Sequence, residues 1–338
     1  MELRQLKAFV AAASEGHFGR AAARLNLTQP GLTLRIQALE KELGAQLLER
    51  NAREVQLTAA GAVLLPHAKS LLRIQERAMR ELKDQADGIA GRLRISYLTY
   101  GAVTFPGQVL AEFRNRHPSV RIETTTGTSG SNIERLRDGL VDGAFIHPGF
   151  VTIPGGIPDG IAVRLMPRNQ IMLALSLNHH LAKLEQIPVK ALRHEPLIMF
   201  PSAPYQGFNL ILQNWLASHI GAQPKVVANE PPEHAFHAVA RSTSLIAFSD
   251  ASRATSAPVP GIVYRAMAPN LLSDFGIAYF RDDESRTLAK LLDLIDEISD
   301  GQPGEVPEGS EVLAAEDTWV RPVTVAHRRP SWQASTVD

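Results

Sequence analysis

The stretch that decides the fold of this chain is Phe18–Arg50, FGRAAARLNLTQPGLTLRIQALEKELGAQLLER. Its first apolar stripe predicts a short helix, and Thr28 predicts the N-cap of a second helix that tolerates Pro30 in its first turn. This second helix is expected to bury one face and to end at Gly44. The residues of that face are Leu32, Ile36, Leu39 and Leu43. A hairpin follows, so the segment predicts a winged helix-turn-helix, a unit that places one helix in the DNA major groove.

The face of this second helix opposite its leucines is expected to contact DNA. A glutamine can bond to the edge of adenine, an arginine to guanine or phosphate, and an apolar side chain can contact the thymine methyl group. The hairpin carries two further arginines near its tip, where they suit phosphate contact. The predicted DNA-binding residues are Gln29, Pro30, Thr33, Leu34, Arg35, Gln37, Arg50 and Arg53. Two alternatives stay open, because an exposed leucine is ordinary on a protein surface and the hairpin arginines can simply be solvated.

The run AAARLNLTQPGLTLRIQALEKELGAQLLER resembles the DNA-binding region of LysR-type transcriptional regulators. The order of elements over residues 1–300 is similar to that family too. The chain departs from the family at His17 and Thr33, where serine is usual, and at Leu34, where polar residues are usual. The resemblance implies a winged head, a linker helix that pairs two subunits, and an effector-binding domain. It also implies a homotetramer that binds an imperfectly palindromic site in double-stranded DNA.

Residues 59–90 predict one long helix, which Thr58 caps. Its apolar positions alternate three and four residues apart, and this is the pattern of a heptad seam. The seam comprises Leu65, Ala68, Leu72, Gln75, Met79, Leu82, Ala86 and Ile89. Such a seam predicts a coiled coil between two copies of the chain, and hence a homodimer. The alternative is that the same stripe packs on the chain's own body.

From Gly91 onward, strands and helices alternate, and this alternation predicts an α/β fold with parallel strands. Two such units are expected, with the chain returning to the first before it ends. The connecting strands are predicted as short separate pieces at 161–165, 171–177, 262–266 and 276–280. Two lobes joined by crossing strands enclose a cleft, as in periplasmic solute-binding proteins.

Length and composition agree with this organisation. The 338 residues allow two or three domains with cores of their own. The absence of cysteine excludes disulfides and thiolate metal sites, and the lack of a signal peptide or an 18-residue apolar run favours a cytoplasmic protein that does not enter a membrane. The predicted parts are a head at 1–58, a linker helix at 59–90, a two-lobed effector domain at 91–300 and a disordered tail at 301–338.

Four segments are expected to converge on the cleft, because ligands in such lobes lie beyond the carboxyl ends of strands and at helix N-termini. Hydroxyl groups and free backbone N–H groups at helix starts suit a carboxylate, so a small acidic effector is predicted. The candidate effector-binding residues are Thr99, Tyr100, Thr128, Ser129, Pro201, Ser202, Tyr205 and Phe248. The alternative for each hydroxyl is a routine helix cap. The segment LIMFPSAPYQGFN resembles regulators of aromatic-compound degradation, including regulators that sense muconate.

Enzyme functions find no support in the sequence. It contains no Gly-rich dinucleotide fingerprint, no phosphate-binding P-loop and no nucleophile elbow, so neither catalysis nor a cofactor is predicted. His179 and His180 are interpreted as an exposed pair, and no metal site is predicted at His234 and His237. The remaining alternative is a solute-binding module whose head serves only dimerisation and binds no DNA.

Overall fold

The computed structural model describes residues 1–50, 55–86, 91–98, 104–151, 156–299 and 306–313. These residues form two compact units. Residues 1–92 together with 119–121 form the first unit, here the head, and the remaining residues form the second, here the two-lobed unit. Within the described ranges, no helix combines the length and the apolarity that crossing a bilayer requires.

Three helices and a hairpin form the head. They are α1 (Leu3–Glu15), α2 (Phe18–Arg24), α3 (Gln29–Leu43), β1 (Leu48–Arg50) and β2 (Val55–Leu57), with the two strands antiparallel. The predicted helix ends are confirmed: Thr28 Oγ1 accepts from the Gly31 amide at 3.3 Å, and Gly44 ends α3 in the left-handed region at φ 66°. Leu32, Ile36 and Leu39 are fully buried as expected. Leu43 is 42% exposed, so its predicted burial is wrong.

His17, which stands where the resembled family usually has serine, caps α2. Its Nδ1 accepts from the Gly19 amide at 2.9 Å and from the Arg20 amide at 3.4 Å. Either a serine hydroxyl or an imidazole nitrogen can accept from these first amides of a helix, which have no partner within the helix itself. The departure at this position therefore leaves the capping of α2 intact.

The linker helix α4 runs over Ala59–Ala86, with Thr58 as its cap. Its N-terminal half packs on the head: Ala68 is fully buried, and Leu65 and Leu72 contact the same core. The predicted seam is therefore wrong over this half, because these residues face the chain's own helices rather than a partner. Large apolar side chains remain exposed elsewhere on α4, namely Val63, Leu71, Ile74, Met79 and Leu82. Ile89 of the predicted seam lies outside the described residues.

A ten-stranded sheet runs through the two-lobed unit, with strand order β4-β3-β5-β11-β6-β10-β8-β9 and with β7 and β12 paired to β11. The first lobe contains β3 (Arg92–Leu98), α5 (Thr104–Arg116), β4 (Arg121–Gly127), α6 (Ser129–Arg137), β5 (Gly143–Ile146) and α10 (Arg286–Ile298). The second lobe contains β7 (Gln186–Pro188), β8 (Leu197–Met199), α7 (Ser202–Ile220), β9 (Val226–Asn229), α8 (Pro232–Ala240), β10 (Ile246–Asp250) and α9 (Ala251–Ser256). The α/β fold is thus as predicted.

Two long antiparallel strands, β6 (Ile161–Ser176) and β11 (Ile262–Phe280), cross between the lobes. The prediction of two short strands in place of each is wrong. The segments MPRNQ and APNLLSD contain prolines and polar residues that are typical of turns. Pairing nevertheless continues through them, with register shifts at Ala266/Leu271 and Ser273/Phe275. Each lobe builds its core on its own part of these strands.

The C-terminal segment is ordered where a disordered tail was expected. Strand β12 (Ser310–Leu313) pairs in parallel with β11, Ser310 lying opposite Asn270. Leu313 is 3% exposed and belongs to the core of the second lobe. The prediction of disorder is therefore wrong for residues 310–313, while 314–338 lie outside the described residues.

Candidate functional site

The exposed face of α3 is the first candidate site. Gln29, Pro30, Leu34 and Gln37 are exposed, with Leu34 at 66%, whereas Thr33 and Arg35 are half-buried at the edge of the helix. All six predicted residues of α3 thus lie away from its fully buried stripe, and their contact with DNA stays a prediction. An exposed leucine on a helix face with a neighbouring glutamine can contact a thymine methyl group while the glutamine reads adenine.

The wing is fixed to α3 by a carboxylate. Glu40 Oε1 accepts from the Leu47 amide at 2.9 Å and from the Leu48 amide at 3.3 Å, so the start of β1 is fastened to the helix that carries the exposed face. Arg50 ends β1, but its side chain and Arg53 lie outside the described side chains. Their contact with phosphate stays a prediction.

The second candidate site is the cleft of the two-lobed unit, and the first lobe contributes the start of α6. Thr128 and Ser131 form a reciprocal cap, in which each side chain accepts from the other's amide at 3.3 and 2.9 Å. The Ser129 hydroxyl accepts from the His147 amide at 3.0 Å, and Ser129 is 6% exposed. Both predicted hydroxyls therefore already serve the local fold, as the capping alternative describes.

The second lobe contributes the start of α7. Pro201 occupies the N-cap position, and Tyr205 is half-buried with its ring 5.2 Å from that of Phe200. Ser202 is the first residue of the helix, but its side chain lies outside the described side chains. Thr99 and Tyr100 lie outside the described residues.

Phe248 differs from its predicted role. It is 1% exposed and belongs to the apolar core of the second lobe, so its side chain serves packing. Next to it, Ser249 Oγ is buried and has no hydrogen-bond partner among the described residues. The same is true of Asn169 Nδ2 on β6 and of Arg253 Nε on α9. Buried polar atoms normally find partners, so these three atoms can serve a bound molecule.

His147, which directly follows strand β5, was missed by the sequence analysis. Its Nδ1 lies 2.9 Å from the carbonyl oxygen of Asp274 and 3.3 Å from Ser273 Oγ on β11. Burial lowers the pKa of His147 below its ordinary value, and this outweighs the opposing effects of the hydrogen bond to Asp274 and of the charges on Asp250 and Asp274. The imidazole is therefore neutral at physiological pH.

An aromatic row joins the two lobes through this histidine. Consecutive ring centroids along it are separated by 5.0 to 5.5 Å. The row runs through Phe275, His147, Phe150, Phe208, Phe200 and Tyr205. Since Phe275 lies on the crossing strand β11 and Phe208 on α7, the row runs from the crossing strands into the second lobe. The sequence could not predict this row, because its members are single aromatic residues at distant positions that form no local motif.

The pair His179–His180 also differs from expectation. His179 is 1% exposed rather than solvent-exposed, and Glu195 lies 3.4 Å from its Nε2 and 3.3 Å from Nε2 of His180. His179 Nδ1 accepts from the Leu181 amide at 3.1 Å, so its proton is on Nε2, which faces the Ser244 carbonyl. Both ring nitrogens of His179 are thus occupied by hydrogen bonds to the backbone, which gives this histidine a structural role.

Comparison with known proteins assigns both parts of the chain to a family. Residues 3–62 match the family described as bacterial regulatory helix-turn-helix protein, lysR family, and residues 86–299 match the LysR substrate binding domain. The regulator AlsR of Bacillus subtilis is 36% identical over 198 residues, which are 59% of this chain and 64% of AlsR. The regulator ClcR of Pseudomonas putida is 36% identical over 206 residues, 60% of this chain and 66% of ClcR. These two alignments span slightly less than two thirds of the relatives' length.

A solved structure extends the likeness along the chain. The crystal structure of full-length BenM is 27% identical, with a TM-score of 0.53, and covers 88% of this chain and 96% of BenM. A winged helix-turn-helix head with a two-lobed binding domain defines a class of transcriptional regulator. Within that class, the chain belongs to the LysR family. AlsR and ClcR are both described as transcriptional regulators.

Proposed function

We propose that this chain is an effector-responsive transcriptional regulator that binds double-stranded DNA through α3 and the wing. The observation that carries the proposal is the exposed face of α3, on which Pro30, Leu34 and Gln37 lie opposite the buried Leu32 and Ile36. A helix whose buried face packs on a compact head can place its exposed face in the major groove. Since the target is chromosomal DNA, the proposal implies action in the cytoplasm, and it requires no cofactor.

The proposed DNA-binding form is a homodimer through α4, paired further into a homotetramer. Five large apolar side chains remain exposed along α4, between 40% and 68% of their surface: Val63, Leu71, Ile74, Met79 and Leu82. A second copy of the helix would remove them from water. Gln75 Oε1 is buried without a hydrogen-bond partner among the described residues, and a neighbouring helix can supply one.

The proposed effector is a small acidic molecule, of the kind sensed by regulators of aromatic-compound degradation. Two helix N-termini, those of α6 and α7, lie at the carboxyl ends of strands that border the cleft, and both favour a negative charge. The aromatic row supports an effector with a flat apolar part. The effector can alter DNA binding only if it binds two arrangements of the lobes with unequal affinity.

The proposal is tested by measuring the affinity of α3 variants for operator DNA. Leu34→Ala and Gln37→Ala remove side chains from the exposed face, and each should weaken binding by about 1–3 kcal/mol. Leu43→Ala is the matched control, because Leu43 is also an exposed leucine of α3 but lies on the opposite side. Fluorescence anisotropy with a fragment from upstream of the chain's own gene gives the affinities.

Two outcomes would contradict the proposal. Equal affinities for Leu34→Ala and Leu43→Ala would show that the exposed face does not read DNA. Binding that is absent or insensitive to salt would exclude phosphate contact and favour the solute-binding module instead.

A further inference from the structure

The ring of His147 lies where three parts of the two-lobed unit meet. It follows β5 of the first lobe, lies 5.2 Å from Phe275 on the crossing strand β11, and lies 5.0 Å from Phe150. Phe150 in turn makes an edge contact with Phe208 of the second lobe at 5.2 Å. The imidazole therefore lies at the junction of the two lobes.

The hydrogen bonds of the ring fix which nitrogen carries the proton. Nδ1 lies 2.9 Å from the Asp274 carbonyl oxygen, and a carbonyl oxygen can only accept. Nδ1 therefore donates, and in the neutral imidazole Nε2 has a lone pair and no proton. The tautomer is set by the backbone and does not depend on the occupant of the cleft.

Nε2 is the atom that remains available. Among the described residues, the hydrogen bonds of the ring are made by Nδ1, and Nε2 has no partner. His147 as a whole is half-buried, so part of its surface faces open space. A neutral nitrogen with a lone pair accepts from O–H or N–H and repels a carboxylate oxygen.

The charges around the ring strengthen this selection. The carboxylate of Asp274 is on β11, where it accepts from Arg168 Nε of β6 at 2.8 Å, and Asp250 of β10 acts on His147 from the second lobe. The positive charge of Arg168 is compensated by the carboxylate of Asp274 in this ion pair. The negative charges of Asp250 and Asp274 disfavour a further anionic group at the imidazole, whereas a neutral hydroxyl group is not repelled.

We infer that His147 is a specificity-determining residue of the cleft, and that its Nε2 accepts a hydrogen bond from a hydroxyl group of the effector. The effector class is thus a hydroxylated small organic acid, with its carboxylate at a helix N-terminus and its hydroxyl at His147. This inference rests on the proposed function, since it names the ligand of the same cleft.

The test uses pairs of probes that differ by one hydroxyl group, with the full chain in a calorimeter. The pairs are benzoate with 3-hydroxybenzoate, and succinate with malate. In at least one pair the hydroxylated acid should bind about three- to tenfold more tightly, which is the effect of one neutral hydrogen bond. His147→Asn keeps a donor in the place of Nδ1 but removes Nε2, so it should abolish the preference. His147→Gln places an amide near Nε2 and should retain part of it.

A second readout keeps the inference testable without any ligand. Nitrogen chemical shifts of the His147 ring in labelled protein should show a protonated Nδ1 and an unprotonated Nε2. The opposite tautomer would overturn the inference, and so would the lack of any pair in which the hydroxylated acid binds more tightly. If a plain acid binds best and still alters the DNA footprint, the inference fails while the proposed function stands. If the α3 variants keep full operator affinity, it is the proposed function that fails.

Discussion

Replacing Gly61 by alanine should loosen the joint between the linker helix and the wing. Gly61 lies in the first turn of α4, and an added Cβ would lie 2.0 Å from the Leu47 carbonyl oxygen and 3.0 Å from Leu57 Cδ2. Ordinary contact begins at 3.4 Å, so 2.0 Å against 3.4 Å is a deficit of about 1.4 Å. The closest atom belongs to the backbone and cannot rotate away, and therefore the helix or the wing must move.

The loss of stability can be worked out from the overpacking and from the hydrogen bonds that this movement breaks. Overpacking costs about 1–3 kcal/mol. The Thr58 amide donates to the Leu47 carbonyl at 3.0 Å, and the Thr58 hydroxyl donates to the Gln46 carbonyl at 2.6 Å. Losing these two bonds costs about 0.5–1.5 kcal/mol each, while alanine regains about 1 kcal/mol of helix propensity. The net loss is about 3 kcal/mol.

Hydrogen exchange measured by mass spectrometry is the suitable assay. The three tryptophans are at 215, 319 and 332, so tryptophan fluorescence does not report on the head. Amides of residues 58–62 should lose protection by about a hundredfold, in line with a 3 kcal/mol loss. The control is Gly107→Ala in α5, where an added Cβ meets nothing within 4 Å. Equal protection of the head in the two variants would refute the reasoning.

Three further predictions concern single interactions. His17→Ala should lower the unfolding free energy of the head by about 1 kcal/mol in urea titrations followed by circular dichroism, whereas His17→Ser should retain the cap, and equal losses would argue against capping. Glu40→Ala leaves the Leu47 and Leu48 amides without their acceptor and should cost about 2 kcal/mol in the same assay, while Glu40→Gln keeps an acceptor oxygen and should cost less. Desolvation raises the pKa of Glu311, but hydrogen bonds from Trp215 and His219 outweigh it and hold the pKa below its ordinary 4.5. Because the pKa of Glu311 is lower in the folded than in the unfolded chain, the ionised carboxylate stabilises the fold fully above pH 4.5, and this stabilisation is lost as the pH falls through the folded pKa. Amide hydrogen exchange in β12 should therefore rise in that pH range in the wild type and should change less in Glu311→Gln.

The head was predictable from sequence because its signals are local. Thr28 and Gly44 mark the ends of α3 through contacts within four residues, and the period of Leu32, Ile36 and Leu39 identifies the buried face. The same period misled at α4, since it cannot tell whether a stripe meets the chain's own core or a second copy. Ala68 meets the core, whereas Met79 stays exposed.

The two-lobed unit was predicted in class but not in detail, because its decisive contacts are distant in sequence. Pro167 and Pro269 are typical of strand ends, yet β6 and β11 continue through these positions because they are paired with each other on both sides. Strand β12 is held in place because Leu313 enters a core built from residues 171–271 and Glu311 accepts a hydrogen bond from Trp215. His147 carries no local motif, and its tautomer follows from a carbonyl 127 residues away.

A nuclease footprint most directly tests the claim that this chain is an effector-responsive regulator. The full chain is bound to the DNA immediately upstream of its own gene at low salt, with and without benzoate, 3-hydroxybenzoate and muconate. The account predicts a protected site of roughly two-fold symmetry whose pattern shifts with at least one of these acids. No protection at low salt would contradict the account.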